Sequence, residues 1–102
     1  MGFRYIFNTS GDYVAFIQDG HLFTPDCEWI GFIPEGSEVY RRDGEFMGYL
    51  LEDDRIVRRR NEANRMRMMR PLRPLRPLRP LRPLRRLRMP PLPYPYVDVF
   101  EN

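Results

Sequence analysis

Few side chains in this chain have the chemistry of an active centre. His21 is the one histidine and Cys27 the one cysteine, so no intrachain disulfide and no thiolate metal cluster can form within one chain. Nothing beside Cys27 marks it as an activated thiolate, and His21, next to Asp19-Gly20, reads as a surface or strand histidine. Thr9, Ser10 and Ser37 have no base at an indicative spacing. Asp26 and Asp43 stand at turns, where acids ordinarily bond the turn backbone. The sequence therefore points to no catalytic residue, no cofactor, no metal and no small-molecule substrate.

The chemistry that is abundant is that of arginine. All 17 basic residues are arginines, and 13 of them lie between 58 and 93 with one acid, Glu62, for a local charge of +12. Residues 1–57 carry eleven acids against four arginines, a net −7. Guanidinium groups pair with carboxylates or with phosphates. A nucleic acid or another polyanion is thus one expected partner, although the acidic half would repel it. No apolar run is long enough to span a membrane, and the start has no signal-peptide core, so a cytoplasmic protein without membrane contact is expected.

Those arginines are set in an array. Five Pro-Leu-Arg triplets run from Pro71 to Arg85, and Leu87-Arg88 continues the register. A proline at every third position rules out an α-helix and a central strand, and leaves the polyproline II helix with three residues per turn. Each residue type then owns one edge. Leu72, Leu75, Leu78, Leu81, Leu84 and Leu87 form an apolar edge, with Met66 and Met69 in the same register. Arg70, Arg73, Arg76, Arg79, Arg82, Arg85 and Arg88 form a basic edge. A straight rod over 71–88 would be roughly 56 Å long at about 3.1 Å per residue, about twice the diameter of a 57-residue body. The leucine edge is expected to be buried on aromatic side chains, with Phe16, Trp29, Phe32 and Tyr49 as candidates, using more than one copy of the chain. This reading gives a homo-oligomeric scaffold.

The acidic half repeats itself. Residues 7–17, 23–33 and 40–50 align without gaps as aromatic, two variable residues, a turn residue, Gly or Cys, acid, aromatic, aliphatic, small, aromatic, aliphatic. With turn pairs at Ser10-Gly11, Asp19-Gly20, Glu35-Gly36 and Asp43-Gly44, strands are expected over 3–7, 12–18, 21–24, 28–33, 37–41, 45–51 and 55–58, paired as an antiparallel meander. The small residues Ala15, Gly31 and Gly48 mark close approach of another backbone or a bend. A helical turn is expected near 58–64, and a last strand from Tyr96 to Phe100. The organisation is a β-repeat domain over 1–58, a connector over 59–69, the rod over 70–95 and a C-terminal strand and tail over 96–102.

The turn spacing, the cores Val14-Ala15-Phe16-Ile17, Ile30-Gly31-Phe32-Ile33 and Met47-Gly48-Tyr49-Leu50, and the arginine-rich tandem repeat resemble the four-fold β-flower proteins, small bacterial proteins. The resemblance covers essentially the whole chain. It implies an all-β arrangement of hairpin petals about a pseudo-four-fold axis. Three petals are plain in the sequence, and the fourth falls to the N-terminal strand, to 96–100, or to both. The resemblance implies no established activity, so it assigns no functional residues.

Overall fold

The computed structural model describes residues 2–61 and 65–100. Among these there are eight strands and no helix. The strands are β1 (Phe3–Phe7), β2 (Tyr13–Gln18), β3 (His21–Phe23), β4 (Trp29–Phe32), β5 (Glu38–Arg41), β6 (Phe46–Leu50), β7 (Ile56–Arg59) and β8 (Tyr96–Asp98). Each pairs antiparallel with the next in one curled meander. All seven strands expected in the acidic half are present with ends shifted by at most one residue, and the C-terminal strand stops at Asp98. The expected helical turn is replaced at its start by β7, which runs to Arg59; its 62–64 part lies outside the described residues.

The internal repeat becomes three hairpins with the same tip. At the first, the Asn8 N–H donates to the Asp12 carbonyl and the Gly11 N–H to that of Asn8. The same two bonds join Thr24, Cys27 and Glu28, and again Arg41, Gly44 and Glu45. Each loop of three residues needs a left-handed residue in its last position. That residue is Gly11 (φ 92°), Cys27 (φ 70°) or Gly44 (φ 93°). The register slips by one at Ile6/Phe7, Leu22/Phe23 and Val39/Tyr40, the equivalent site in each copy. The fourth hairpin pairs β7 with β8, and its loop is the whole segment 60–95. The arginine-rich array is thus inserted into the fourth petal.

The two faces of the sheet divide the side chains by type. Cross-strand partners share a face, and the line Tyr5, Phe16, Phe23, Trp29 continues through paired rows as Phe32, Tyr40 and Phe46. Phe16 stacks on Phe23 at 5.3 Å and Phe32 on Tyr40 at 5.8 Å. Ile6, Ala15, Ile17, Leu22, Val39 and Ile56 form a separate aliphatic cluster. In that cluster's face the small residues do what their spacing suggests. A Cβ on Gly31 would overlap the Tyr40 carbonyl oxygen, and one on Gly48 that of Val57. The next strand's backbone fills the place of a side chain, which lets the sheet curl this tightly. Because a backbone carbonyl cannot swing aside, Gly31→Ala and Gly48→Ala should each destabilise the protein by about 2 kcal/mol. Urea unfolding monitored by the fluorescence of Trp29 measures this.

Candidate functional site

Residues 65–93 contain no helix and no strand, and cross the molecule as a strap. The whole chain measures 36 × 35 × 21 Å, so an extended 18-residue array of roughly 56 Å is bent around the body rather than standing out as a straight rod. Burial along the strap recurs every third residue: Met68, Pro71, Pro74, Pro77, Pro80, Pro83 and Met89 are half-buried, and the positions between them are exposed.

The inward column is therefore proline, not leucine. Leu72, Leu75, Leu78, Leu81, Leu84 and Leu87 are 87–93% exposed, as are Met66 and Met69 in the same register. The expected docking of this edge on Phe16, Trp29, Phe32 and Tyr49 of the same chain does not occur. Phe16, Trp29 and Phe32 are buried in the aromatic cluster among their own strand neighbours, and Tyr49 packs edge-on against Phe46 at 5.2 Å. The strap residues that pack against that cluster are Met68 and Met89. The physical reason is shape. A flat proline ring lies against rings at little entropic cost, whereas a leucine column turned inward would hold the backbone farther from the turns it bonds.

Three backbone N–H groups pin the strap. Met68 donates to the Gly44 carbonyl at 2.8 Å, Arg86 to that of Gly11 at 2.9 Å, and Met89 to that of Thr9 at 2.9 Å. All three fall in the register of the prolines at positions where proline is absent. Proline has no N–H to give, so the breaks in the triplet pattern mark where the strap is tied. The approach is close enough that a Cβ on Gly11 or Gly44 would overlap the strap carbonyl of Arg86 or Met68. Glycine is needed at these tips for space as well as for φ. At the middle tip the glycine column holds Cys27, which is buried.

Arginines complete the attachment. Arg67, Arg76 and Arg85 donate to the carbonyls of Asp43, Asp26 and Ser10, the residue before the left-handed position at each tip. Arg79 pairs with Asp26, Arg85 with Asp12 at 2.7 Å, Arg86 with Asp54 at 2.8 Å and Arg65 with Glu38 at 2.9 Å. Arg86 lies 4.0 Å over the Phe7 ring and Arg65 4.2 Å over that of Phe46, and the Tyr5 hydroxyl donates to the Leu81 carbonyl. The acidic half thus holds the basic edge. Arg55, which the sequence reading passed over, is buried and bridges Asp53, the Thr9 hydroxyl and the Pro90 carbonyl. The only sign of its role in the sequence is an arginine directly before the apolar pair Ile56-Val57.

Several groups titrate away from their ordinary values. Glu38 is held low by its hydrogen bonds from Arg65 and Tyr40, and Asp43 by the Glu45 N–H and by Arg67 nearby. At Asp54 burial pushes upward, but the hydrogen bonds from Arg4 and Arg86 outweigh it and leave the carboxyl low. His21 is held low by burial, partly offset by Asp19.

Among the described residues no group of three or more His, Cys, Asp or Glu could hold a metal ion, and no helix is long and apolar enough to cross a membrane. Four sequential antiparallel hairpins in one curled sheet define an all-β flower-like protein. The model of the family described as "4-fold beta flower protein" matches residues 4–97, and the chain belongs to that family. No curated protein and no solved structure matches it.

Two predictions follow from the attachment. Removing a strap donor by Met68→Pro should cost about 1 kcal/mol in urea unfolding; Arg86→Pro, which also loses the Asp54 pair and the Phe7 contact, should cost more, and Pro77→Ala, which removes no bond, less. Both kinds of titrating group favour the folded state at higher pH. The lowered His21 stabilises fully above about pH 6.5, and the lowered carboxylates above about pH 4. The urea midpoint should therefore be flat between about pH 7 and about pH 9 and fall in two stages on acidification, and His21→Gln should abolish the first stage; above about pH 10 it should fall again, because burial pushes Tyr13 and Tyr40 up.

Proposed function

We propose that the protein is a non-enzymatic, cytoplasmic structural element that self-assembles, with the strap held as a polyproline II helix so that its leucine ridge packs on the ridge of a second copy. The supporting observation is the near-complete exposure of six leucines in one line on a segment tied down at both ends. Large contiguous apolar surface on a small protein marks an interaction site. Burying a leucine is worth about 1.5–3 kcal/mol at about 25 cal/mol per Å², or about 60–120 Å² each. Six from each of two copies would then bury about 700–1,400 Å², a range that spans the roughly 1,000 Å² a specific interface needs. The pairing of Arg79, Arg85 and Arg86 with body carboxylates draws positive charge away from the ridge and lowers the repulsion between two such surfaces. The same pairing weighs against a polyanion as the main partner, since phosphates would have to displace those carboxylates.

Light scattering on the full chain decides the matter. The wild-type protein should associate, and Leu75→Asp with Leu78→Asp should give a folded monomer, because both side chains are exposed in the single chain. A wild-type monomer at all concentrations, or a variant that still assembles, would refute the reading. A gel shift with nucleic acid at low and moderate salt that persists in the variant would favour the polyanion alternative.

A further inference from the structure

The three hairpin tips and the strap are in register over a long interval. Asp43, Asp26 and Ser10 hold equivalent places in their turns, and their carbonyls accept from Arg67, Arg76 and Arg85 at 3.1, 2.9 and 3.1 Å. The three donors are nine residues apart. The residues that follow them, Met68, Pro77 and Arg86, have the same interval and correspond to Gly44, Cys27 and Gly11. Met68 and Arg86 have an N–H and bond the glycine carbonyls; Pro77 has none, and at that tip alone the glycine is replaced. Strap and tips therefore match at three triplets per petal, and the strap visits the petals in reverse chain order.

We propose that the tip-bearing face is a spacing reader for an extended proline–arginine chain, and that it accepts such a chain in trans, the occupant being the strap of a second copy. What it recognises is a period of three with an arginine at every ninth residue set against a turn carbonyl. None of these contacts depends on the strap belonging to the same chain. The segment that anchors the strap's far end, β8, is a three-residue strand at the sheet edge, paired to β7 and tied once more by the Thr9 N–H donating to the Asp98 carboxylate. Charge suits the contact equally in cis and in trans: residues 58–93 carry +12 against −7 on residues 1–57, and each body holds one strap in either arrangement. This inference uses the proline and arginine columns and leaves the leucine ridge outward, so it stands or falls separately from the ridge-to-ridge assembly proposed above.

The test is a fluorescently labelled peptide of residues 65–92 titrated with the full chain carrying Met68→Pro and Arg86→Pro, which weakens the resident strap and leaves the tips intact. A control peptide has one Pro-Leu-Arg triplet moved from between Met68 and Arg86 to its C-terminal end. It keeps composition, length and charge but shortens the interval by three residues. Saturable anisotropy is expected, at least tenfold tighter for the natural peptide, and unchanged when the chain also carries Leu75→Asp. Equal binding of both peptides would mean charge attraction alone and would overturn the proposal, as would no saturable binding. If the double-proline chain does not fold, the wild-type chain serves. Excess natural peptide must then speed hydrogen exchange at the Met68 and Arg86 amides more than the control does, and equal or unchanged rates would refute the idea.

Discussion

A column of prolines can lie on a protein surface but cannot donate a backbone hydrogen bond to it. The rest of this structure turns on that constraint. Wherever the strap must be tied to the hairpins, the proline column has to be broken, and it is broken at Met68, Arg86 and Met89, each of which donates its N–H to a turn carbonyl. Between those ties the attachment passes to arginine side chains, which reach sideways to Asp26 and Asp12 while the prolines rest inward. The tips answer in kind, with Gly11 and Gly44 supplying both a left-handed backbone and an absent side chain where the strap backbone passes.

Turning the prolines inward fixes where everything else points. With three residues per repeat, one column in leaves two columns out, so the leucines face solvent as a direct consequence of how the strap is bonded. The body gains a cover over its ring-rich face, with Met68 and Met89 packed against the aromatic cluster. The cost is an apolar ridge outside, which gives the self-association reading its force. Individual surface ion pairs contribute little; what holds the strap is their repetition beside backbone bonds that permit only one register.

Much of this was legible in the sequence. The gap-free alignment of 7–17, 23–33 and 40–50 located three petals, their tips and the column shared by Gly11, Cys27 and Gly44, because turns and alternation are local properties of the chain. The small residues Gly31 and Gly48 announced the close strand approach that the carbonyls of Tyr40 and Val57 make. What stayed hidden is long-range. That β8 pairs with β7 across residues 60–95 has no local signal, so the fourth petal could not be assigned. The facing of the strap was misread because hydrophobicity singled out leucine for burial, whereas the close backbone approach at the tips selects the flat proline ring. The evidence for that choice was present as interruptions of the triplet pattern, but their meaning appears only once the tips are seen opposite them. Arg55 was missed for the same reason, since its partners Thr9 and Pro90 are distant in sequence.

The most direct test of this account is amide hydrogen exchange along the strap of the intact protein. The amides of Met68, Arg86 and Met89 should be protected at least a hundredfold beyond those of the leucines and arginines between them, which have no backbone partner in the strap's attachment. Exchange of all three at the rate of an unstructured chain would contradict it.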